Sequence, residues 1–268
     1  LPYDLFETGG SSTLPTATLQ SYALAVWTTG YDWYDPISQR DETRLAAFLD
    51  GGGRLLLAGQ DILDTAGLDE FVRQRLGVQA ATLTVTTTEV TGLAGGPLGD
   101  GLGPWRLSYP FTNWSDAVTP GPAAQAALQD QRQRIVGVVN GAANWRTAFF
   151  PFPLEALDAV ARQMLIGRTL LWLSPLGESR LEAPPFAVEG SRIPVTLTLG
   201  LTADAPRAGL RARLPLPPGV TVVPGSLTGP WELNATGDAL EWSGALAVGV
   251  SARLRADLAL PAPLPDGA

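Results

Sequence analysis

The pattern of apolar residues changes near residue 174, and this change predicts two domains of different classes in the 268-residue chain. Residues 1 to 173 alternate short apolar runs with helical patterns, which is typical of βαβ units and a mainly parallel sheet. Residues 186 to 268 alternate apolar and polar residues between Pro and Gly turns, which is typical of an antiparallel β-sandwich. The Pro- and Gly-containing stretch from 174 to 185 is therefore predicted to be a linker.

Several segments of the first part carry clear local signals. Leu24–Thr28 and Arg54–Ala58 are apolar without polar alternation, as expected for strands covered on both faces. Ser38 is predicted to cap a helix, with Asp41 placed to complete a capping box. Leu154–Leu173 repeats apolar residues at helical spacing and is predicted to be a helix that packs on the sheet.

Weaker signals give four further predictions. Tyr3–Phe6 and the Thr- and Val-rich Ala81–Val90 are expected to be strands. Leu68–Leu76 is expected to be a helix that ends at a glycine. Ile135–Val139 and Trp145–Phe150 are expected to pair through a turn at residues 140 and 141.

The residue types that the chain lacks exclude most common catalytic chemistry. It contains no His, Cys or Lys, so Ser-His or Cys-His nucleophiles, His or Cys zinc sites, and lysine-bearing phosphate loops cannot form. The net charge is −8, which disfavours nucleic acid and anionic membranes as partners. No apolar run reaches the roughly 18 residues of a membrane span. We therefore predict no cofactor, no metal site and no enzymatic activity.

The first part also resembles a known family. The segments TLQSYALAVWTTG, LAAFLDGGGRLLLAGQD, GDGLGPWRLSYPFTNWSD and FFPFPLEAL resemble a domain of large secreted bacterial proteins. That domain is similar to the class I glutamine amidotransferases, which have a flavodoxin-like doubly wound sheet. Active relatives carry a nucleophilic Cys on the elbow after a central strand, with a His as base. The elbow here reads Ala58-Gly59-Gln60-Asp61, so the resemblance implies a catalytically silent member.

The last part resembles a second family. VEGSRIPVTLTL, ARLPLPPGVTVVPGSL and GDALEWSGAL are similar to the conserved-repeat Ig-like β-sandwich domains of bacterial surface proteins, which act as stalks and spacers. Together the resemblances imply an extracellular or cell-surface location. They also imply attachment to an exoenzyme such as a subtilisin-like peptidase.

The flavodoxin-like order carries a consequence for the sheet. Its first strand lies in the middle, and the strand pattern of this chain is expected to begin at the second strand, at Tyr3. A missing central strand would leave two unpaired edges. We therefore expect an upstream portion of the same precursor to complete the sheet.

The expected functional site follows from the rule that open α/β sheets bind ligands at the carboxyl ends of their strands. Loops rich in aromatic rings and carboxylates should meet there, and each such residue also has a structural explanation, such as capping or loop packing. Asp61 and Gln60, for instance, could instead cap a turn and hold neighbouring backbone. The candidate ligand-binding residues are Gln60, Asp61, Asp32, Trp33, Tyr109, Asn113, Trp114, Asp116 and Glu155.

The sequence thus predicts a non-catalytic accessory or interaction module of a secreted or surface protein. Three alternatives remain open. The aromatic loops could form a carbohydrate-binding module, because rings cover the apolar faces of sugars and acids accept hydroxyl protons. The sandwich could make a structural subunit of a surface layer or filament. A hydrolase could use carboxylates alone, drawn from Asp61, Asp116 and Glu155.

Overall fold

The computed structural model describes residues 3–8, 14–174, 176, 179–201, 206–247 and 250–262. The chain divides into two compact units, Leu1–Ser174 and Pro175–Ala268. In the first unit the described strands are β1 Leu24–Gly30, β2 Arg54–Gly59, β3 Val78–Thr82, β4 Glu89–Gly92, β5 Trp105–Arg106, β6 Ala117–Pro120, β7 Gln125–Asp130, β8 Ile135–Gly141 and β9 Arg146–Phe150. Its described helices are α1 Thr16–Gln20, α2 Gln39–Asp50, α3 Ile62–Ala66 and α4 Ala159–Leu173, with a π-helix at Phe71–Leu76 and a 3₁₀ turn at Leu154–Ala156.

A seven-stranded mixed sheet forms the centre of the first unit, in the order β1-β2-β9-β8-β7-β4-β5. The strands β1, β2 and β9 run parallel, whereas β9, β8, β7, β4 and β5 are joined by antiparallel pairs. The remaining strands, β3 and β6, form a separate antiparallel pair. Among the described residues, β1 to β2 is the one parallel connection that runs through a single regular helix, α2.

The predicted flavodoxin-like, doubly wound fold is therefore wrong, and so is the amidotransferase-like assignment that rested on it. A doubly wound sheet needs a crossover helix between successive parallel strands. Between residues 78 and 150 the chain instead runs through consecutive strands and turns and contains no α-helix. Apolar runs such as that of β8 indicate burial on both faces but do not fix strand direction, which explains the error.

The predicted gap within the sheet is absent among the described strands, whereas the upstream portion expected from the same precursor stays a prediction. Strand β1 pairs directly with β2, beginning at Leu24 and Arg54, and β2 pairs directly with β9. The described residues 3–8, which include the predicted strand Tyr3–Phe6, form no strand. Tyr3 is 85% exposed, as expected for a residue outside the sheet.

Two apolar clusters cover the two faces of this sheet. Strand β2 is buried along its whole length: Leu56 and Ala58 belong to the cluster beneath α4, and Leu55 and Leu57 belong to the cluster beneath α2. Burying one Leu side chain contributes about 1.5–3 kcal/mol. The strand that leads into the candidate site is therefore anchored in both apolar clusters.

Other local predictions have mixed outcomes. The capping box of α2 is confirmed: the Ser38 hydroxyl accepts a hydrogen bond from the Asp41 backbone, and the Asp41 carboxylate accepts one from Ser38. Ala81–Val90 is not one strand, because the chain leaves β3 after Thr82. The last helix begins at Ala159, five residues later than predicted, because Asp158 caps it.

The second unit contains antiparallel strands in two sheets. Its described strands are β10 Arg180–Glu182, β11 Arg192–Gly200, β12 Arg207–Pro215, β13 Thr221–Val222, β14 Glu232–Leu233, β15 Ala239–Leu246 and β16 Ser251–Ala259. The orders are β10-β11-β16-β13 and β12-β15-β14. Val195, Trp242 and Leu254 from the two sheets share one core. The stretch predicted as a linker includes β10, which pairs with β11.

Candidate functional site

A cleft opens in the first unit where the chain leaves β1 and β2. Its volume is about 530 Å³. The loop after β1 contributes residues 33–35, and the segment that follows β2, which includes α3, contributes residues 61, 64 and 65. The residues that line it are Trp33, Tyr34, Asp35, Asp61, Asp64, Thr65, Thr84 and Trp114.

The backbone around the cleft is held in an unfavourable conformation. Asp35, Asp61 and Thr84 all have left-handed φ angles, of 51°, 62° and 54°. Five non-glycine residues have positive φ in the described chain, and these three share one cavity. The left-handed region is costly for L-residues, particularly for a β-branched one such as Thr84. Strain of this kind concentrates at binding and catalytic sites, where tertiary structure maintains it.

Gln60 joins the loops that form the cleft. Its side-chain amide donates a hydrogen bond to the Tyr31 carbonyl at 3.0 Å, and its carbonyl accepts one from the Trp114 backbone N–H at 3.1 Å. Gln60 is only 1% exposed, so both hydrogen bonds are protected from water. Gln60 therefore holds backbone in place, and the ligand-facing surface belongs to its neighbours.

Asp61 follows directly and faces the cleft. It occupies the N-cap position of α3, yet its side chain makes no capping hydrogen bond. Burial raises the pKa of its carboxyl group, and the nearby charge of Asp64 raises it further. The structural role considered for Asp61, capping the following turn, is thus not what its carboxylate does.

Two aromatic side chains stand at the rim with little protein around them. Trp33 is 61% exposed and Tyr34 is 78% exposed, and their rings meet edge to face, with centroids 6.1 Å apart. Asp32 accepts a hydrogen bond from the Tyr34 backbone N–H at 3.2 Å, which fixes this turn. Asp32 thus shapes the loop, while Trp33 and Tyr34 offer apolar surface to a ligand.

The other predicted residues lie behind or beside the cleft. Asp116 is 1% exposed and accepts a hydrogen bond from the Thr84 backbone N–H at 2.9 Å. Burial is the main cause that raises its pKa to about 7, and the charges of Asp61 and Asp64 add to it. Asn113 donates a hydrogen bond to the Thr87 carbonyl at 2.8 Å, which anchors the loop that carries Trp114.

Tyr109 and Glu155 lie outside the cleft lining. Tyr109 packs its ring edge to face against Tyr31, with centroids 6.2 Å apart, at the margin of the core. The Glu155 carboxylate accepts a hydrogen bond from the Thr28 hydroxyl at 3.0 Å at the end of β1. Of the nine predicted residues, the cleft lining contains three: Trp33, Asp61 and Trp114.

Thr65 and Thr84 line the cleft although the sequence did not single them out. Thr84 lies in a run of Thr and Val residues that favours a strand. The sequence therefore gives no indication of its left-handed backbone conformation. Within the described chain, no group of three or more acidic side chains is arranged to hold a metal ion. No helix in the same residues is long and apolar enough to cross a bilayer.

Comparison with known proteins gives no family. No known family and no curated protein matches the sequence, so neither resemblance from the sequence assigns the chain to one. Similar solved structures include exo-β-1,4-mannosidase Op5Man5 from Opitutaceae bacterium strain TAV5, with 15% identity, a TM-score of 0.39, and coverage of 61% of this chain and 26% of the mannosidase.

Two further similar structures are the amino-terminal domain of mmIFT52 and a β-galactosidase from the haloarchaeon Halorubrum lacusprofundi. The first has 13% identity, a TM-score of 0.40, and covers 59% of this chain and 80% of the domain. The second has 13% identity, a TM-score of 0.37, and covers 89% of this chain and 31% of the galactosidase. Similar structures thus include two glycosidases, and this chain spans less than a third of either. At such TM-scores the likeness carries no argument about function.

Proposed function

We propose that the cleft binds a carbohydrate and that the chain is a recognition module rather than an enzyme. The observation that carries the proposal is the pair of exposed rings, Trp33 and Tyr34, beside carboxylates in one cavity. Aromatic rings bury large apolar areas when a partner covers them, and their polar edges remain available for hydrogen bonds. A sugar ring offers one apolar face to such rings and hydroxyl groups to the acids.

The dimensions and rigidity of the cleft suit this role. A volume of about 530 Å³ lies within the range of small-molecule sites, which is roughly 300–1,000 Å³. Gln60 holds two of its loops together, and Asn113 anchors the loop of Trp114. A site that is already ordered loses less conformational entropy when a ligand binds.

Recognition without turnover fits the available side chains. The chain has no Cys or His, and the buried acid Asp116 lies behind the cleft wall rather than in it. In this proposal the protein acts outside the cell as an accessory module, for example of an exoenzyme. Fractionation of the native host, followed by detection of the protein in medium, envelope and cytoplasm, tests that location.

Isothermal titration calorimetry with a panel of neutral, amino and acidic oligosaccharides tests the binding proposal. At least one member should bind, and Trp33→Ala should weaken that binding by about tenfold or more, since loss of an aromatic contact of this kind costs about 1.4 kcal/mol. Phe186→Ala is the matched control, because Phe186 is an 89% exposed ring in the second unit. It should bind as the unaltered protein does.

Binding to no member of the panel would contradict the proposal, and so would equal losses in Trp33→Ala and Phe186→Ala. Product analysis by mass spectrometry after prolonged incubation tests the absence of catalysis. Hydrolysis that Asp61→Asn abolishes would establish the carboxylate hydrolase instead.

A further inference from the structure

The charges in the cleft all have one sign. Its described lining contains three carboxylates, from Asp35, Asp61 and Asp64, and no basic side chain. The other lining residues are the three aromatic residues and two threonines. A neutral sugar would require hydrogen-bond acceptors, but it would not require three negative charges around one cavity.

Arginine neutralises several acids elsewhere in the described chain, but none of the three in the cleft. Asp50, Asp130 and Asp238 each pair with an arginine, at 2.6 Å, 2.5 Å and 3.3 Å. Within the described residues, no ion pair joins the cleft carboxylates to any arginine. The mutual repulsion in the cleft is therefore not balanced by the protein itself.

A fourth acid stands behind this wall. Asp116 is 1% exposed, and its Oδ2 atom makes no hydrogen bond to the described residues. Its other oxygen is bound to the backbone of Thr84, which lines the cleft. The charges of Asp61 and Asp64 act on Asp116, so these three acids interact electrostatically, and Asp35 lines the same cavity as Asp61 and Asp64.

The aromatic residues complete the argument. A cation over the face of a Trp or Tyr ring is attracted by the negative charge of the π-system, and this attraction grows when water is excluded. Trp33, Tyr34 and Trp114 border the same cavity as the unpaired carboxylates. Rings together with unpaired acids are the surface that an ammonium group on an apolar body requires.

We propose that the ligand of this cleft is a positively charged glycan, one that carries free amino groups, such as an oligomer of glucosamine. The rings cover the apolar faces of the sugar, and the carboxylates receive the ammonium groups. This inference rests on the proposed carbohydrate binding and narrows it to one charge class.

A matched pair of ligands tests the inference by calorimetry under mildly acidic conditions. Glucosamine hexamer and N-acetylglucosamine hexamer have the same backbone and differ in the charge of the amino group. The glucosamine hexamer should bind at least tenfold more tightly, and added NaCl should weaken its binding, because salt screens partly exposed charges.

The variant Asp64→Asn should reduce the affinity for the glucosamine hexamer several fold. It should also reduce the ratio of this affinity to the affinity for the N-acetylglucosamine hexamer. Asp64 is exposed, so folding is not at risk, and circular dichroism checks this. Glu70→Gln is the control, since Glu70 is an exposed acid of the same unit outside the cleft lining, and it should leave binding unchanged.

Equal affinity for the two hexamers would overturn the charge inference and leave the carbohydrate proposal intact. Binding of neither hexamer, nor of any other oligosaccharide, would overturn both. Tighter binding of an oligolysine peptide than of the glucosamine hexamer would assign the cleft to a basic peptide and also overturn the inference.

Discussion

At the scale of single residues, Thr84 has a strained backbone conformation in the lining of the cleft. Its φ of 54° is one that a β-branched side chain disfavours, whereas glycine accepts it at no steric cost. The neighbouring Thr82 lies in strand β3, where a glycine weakens the structure. The two threonines therefore form a matched pair for one experiment.

We expect Thr84→Gly to raise the free energy of unfolding by about 1 kcal/mol, since relief of left-handed strain outweighs the added chain entropy. Thr82→Gly should lower it by about 0.5–1 kcal/mol. Urea denaturation followed by circular dichroism measures both. Equal destabilisation by the two substitutions would show that Thr84 is not strained.

Gln60 provides a second test at this scale. Its two hydrogen bonds are buried, so Gln60→Ala leaves the Tyr31 carbonyl and the Trp114 N–H without these partners. Each unsatisfied buried group costs about 1–3 kcal/mol. We expect a loss of stability of that order in urea denaturation, together with weaker ligand binding. Gln39→Ala, an exposed position at the start of α2, should change neither.

Two buried acids predict how stability depends on pH. Burial, a hydrogen bond to Asp69 and nearby negative charges raise the pKa of Glu42 to about 8. The pKa of Asp116 is raised to about 7, chiefly by burial. Because the folded protein holds protons that the unfolded chain releases above about pH 4, stability should fall as the pH rises from about 4 to 8.

The variants Glu42→Gln and Asp116→Asn should each reduce the fall in the free energy of unfolding between about pH 4 and 8, because each removes a buried carboxyl group that ionises in this range. Unfolding free energies measured in urea at a series of pH values test this. Glu70→Gln should keep the slope of the unaltered protein. A stability that rises steadily over the same pH range would contradict the raised pKa values.

At the scale of elements, the edge strand β1 differs from the other edge of its sheet. The opposite edge, β5, has two residues and includes Arg106, whereas β1 has seven residues without a charge. Proteins generally protect long uncharged edges, because these can pair with other chains. Val26 is 45% exposed on β1, and Leu233 is 44% exposed on the two-residue strand β14.

This contrast predicts that Val26→Lys lowers concentration-dependent aggregation, measured by light scattering, while stability changes by about 0.5 kcal/mol or less. Leu233→Lys is matched in exposure and should have no such effect on aggregation. If both variants aggregate as the unaltered protein does, then β1 is not the edge through which the chains associate.

Helices show how far local patterns reach. The capping box at Ser38 depends on four consecutive residues, 38 to 41, and the prediction of it is confirmed. The start of α4 was predicted five residues too early, because Leu154 and Leu157 fit a helical period but belong to a 3₁₀ turn and the following extended residue. Local hydrogen-bonding rules are therefore more reliable here than apolar spacing alone.

At the scale of the whole molecule, the two units have separate cores. Each of the fragments 1–174 and 175–268 should therefore fold when expressed alone. Far-ultraviolet circular dichroism and a cooperative thermal transition in each fragment would verify this. A fragment that remains unfolded would show that its stability depends on the other unit.

By itself, the sequence determined that Arg54–Ala58 is a buried strand, where α2 is capped, and which catalytic groups are absent, since these depend on near neighbours and composition. It also predicted Leu24–Thr28 to be covered on both faces, which is wrong, because β1 is an edge strand on which Val26 is 45% exposed. It also indicated Trp33, Asp61 and Trp114, because each lies in a loop that was expected at the carboxyl ends of the strands, where open α/β sheets bind ligands. Tertiary structure alone decided strand direction, the strained backbone of Thr84, and the buried position of Asp116 behind the cleft. Those features depend on contacts between residues far apart in the chain, which no local pattern encodes.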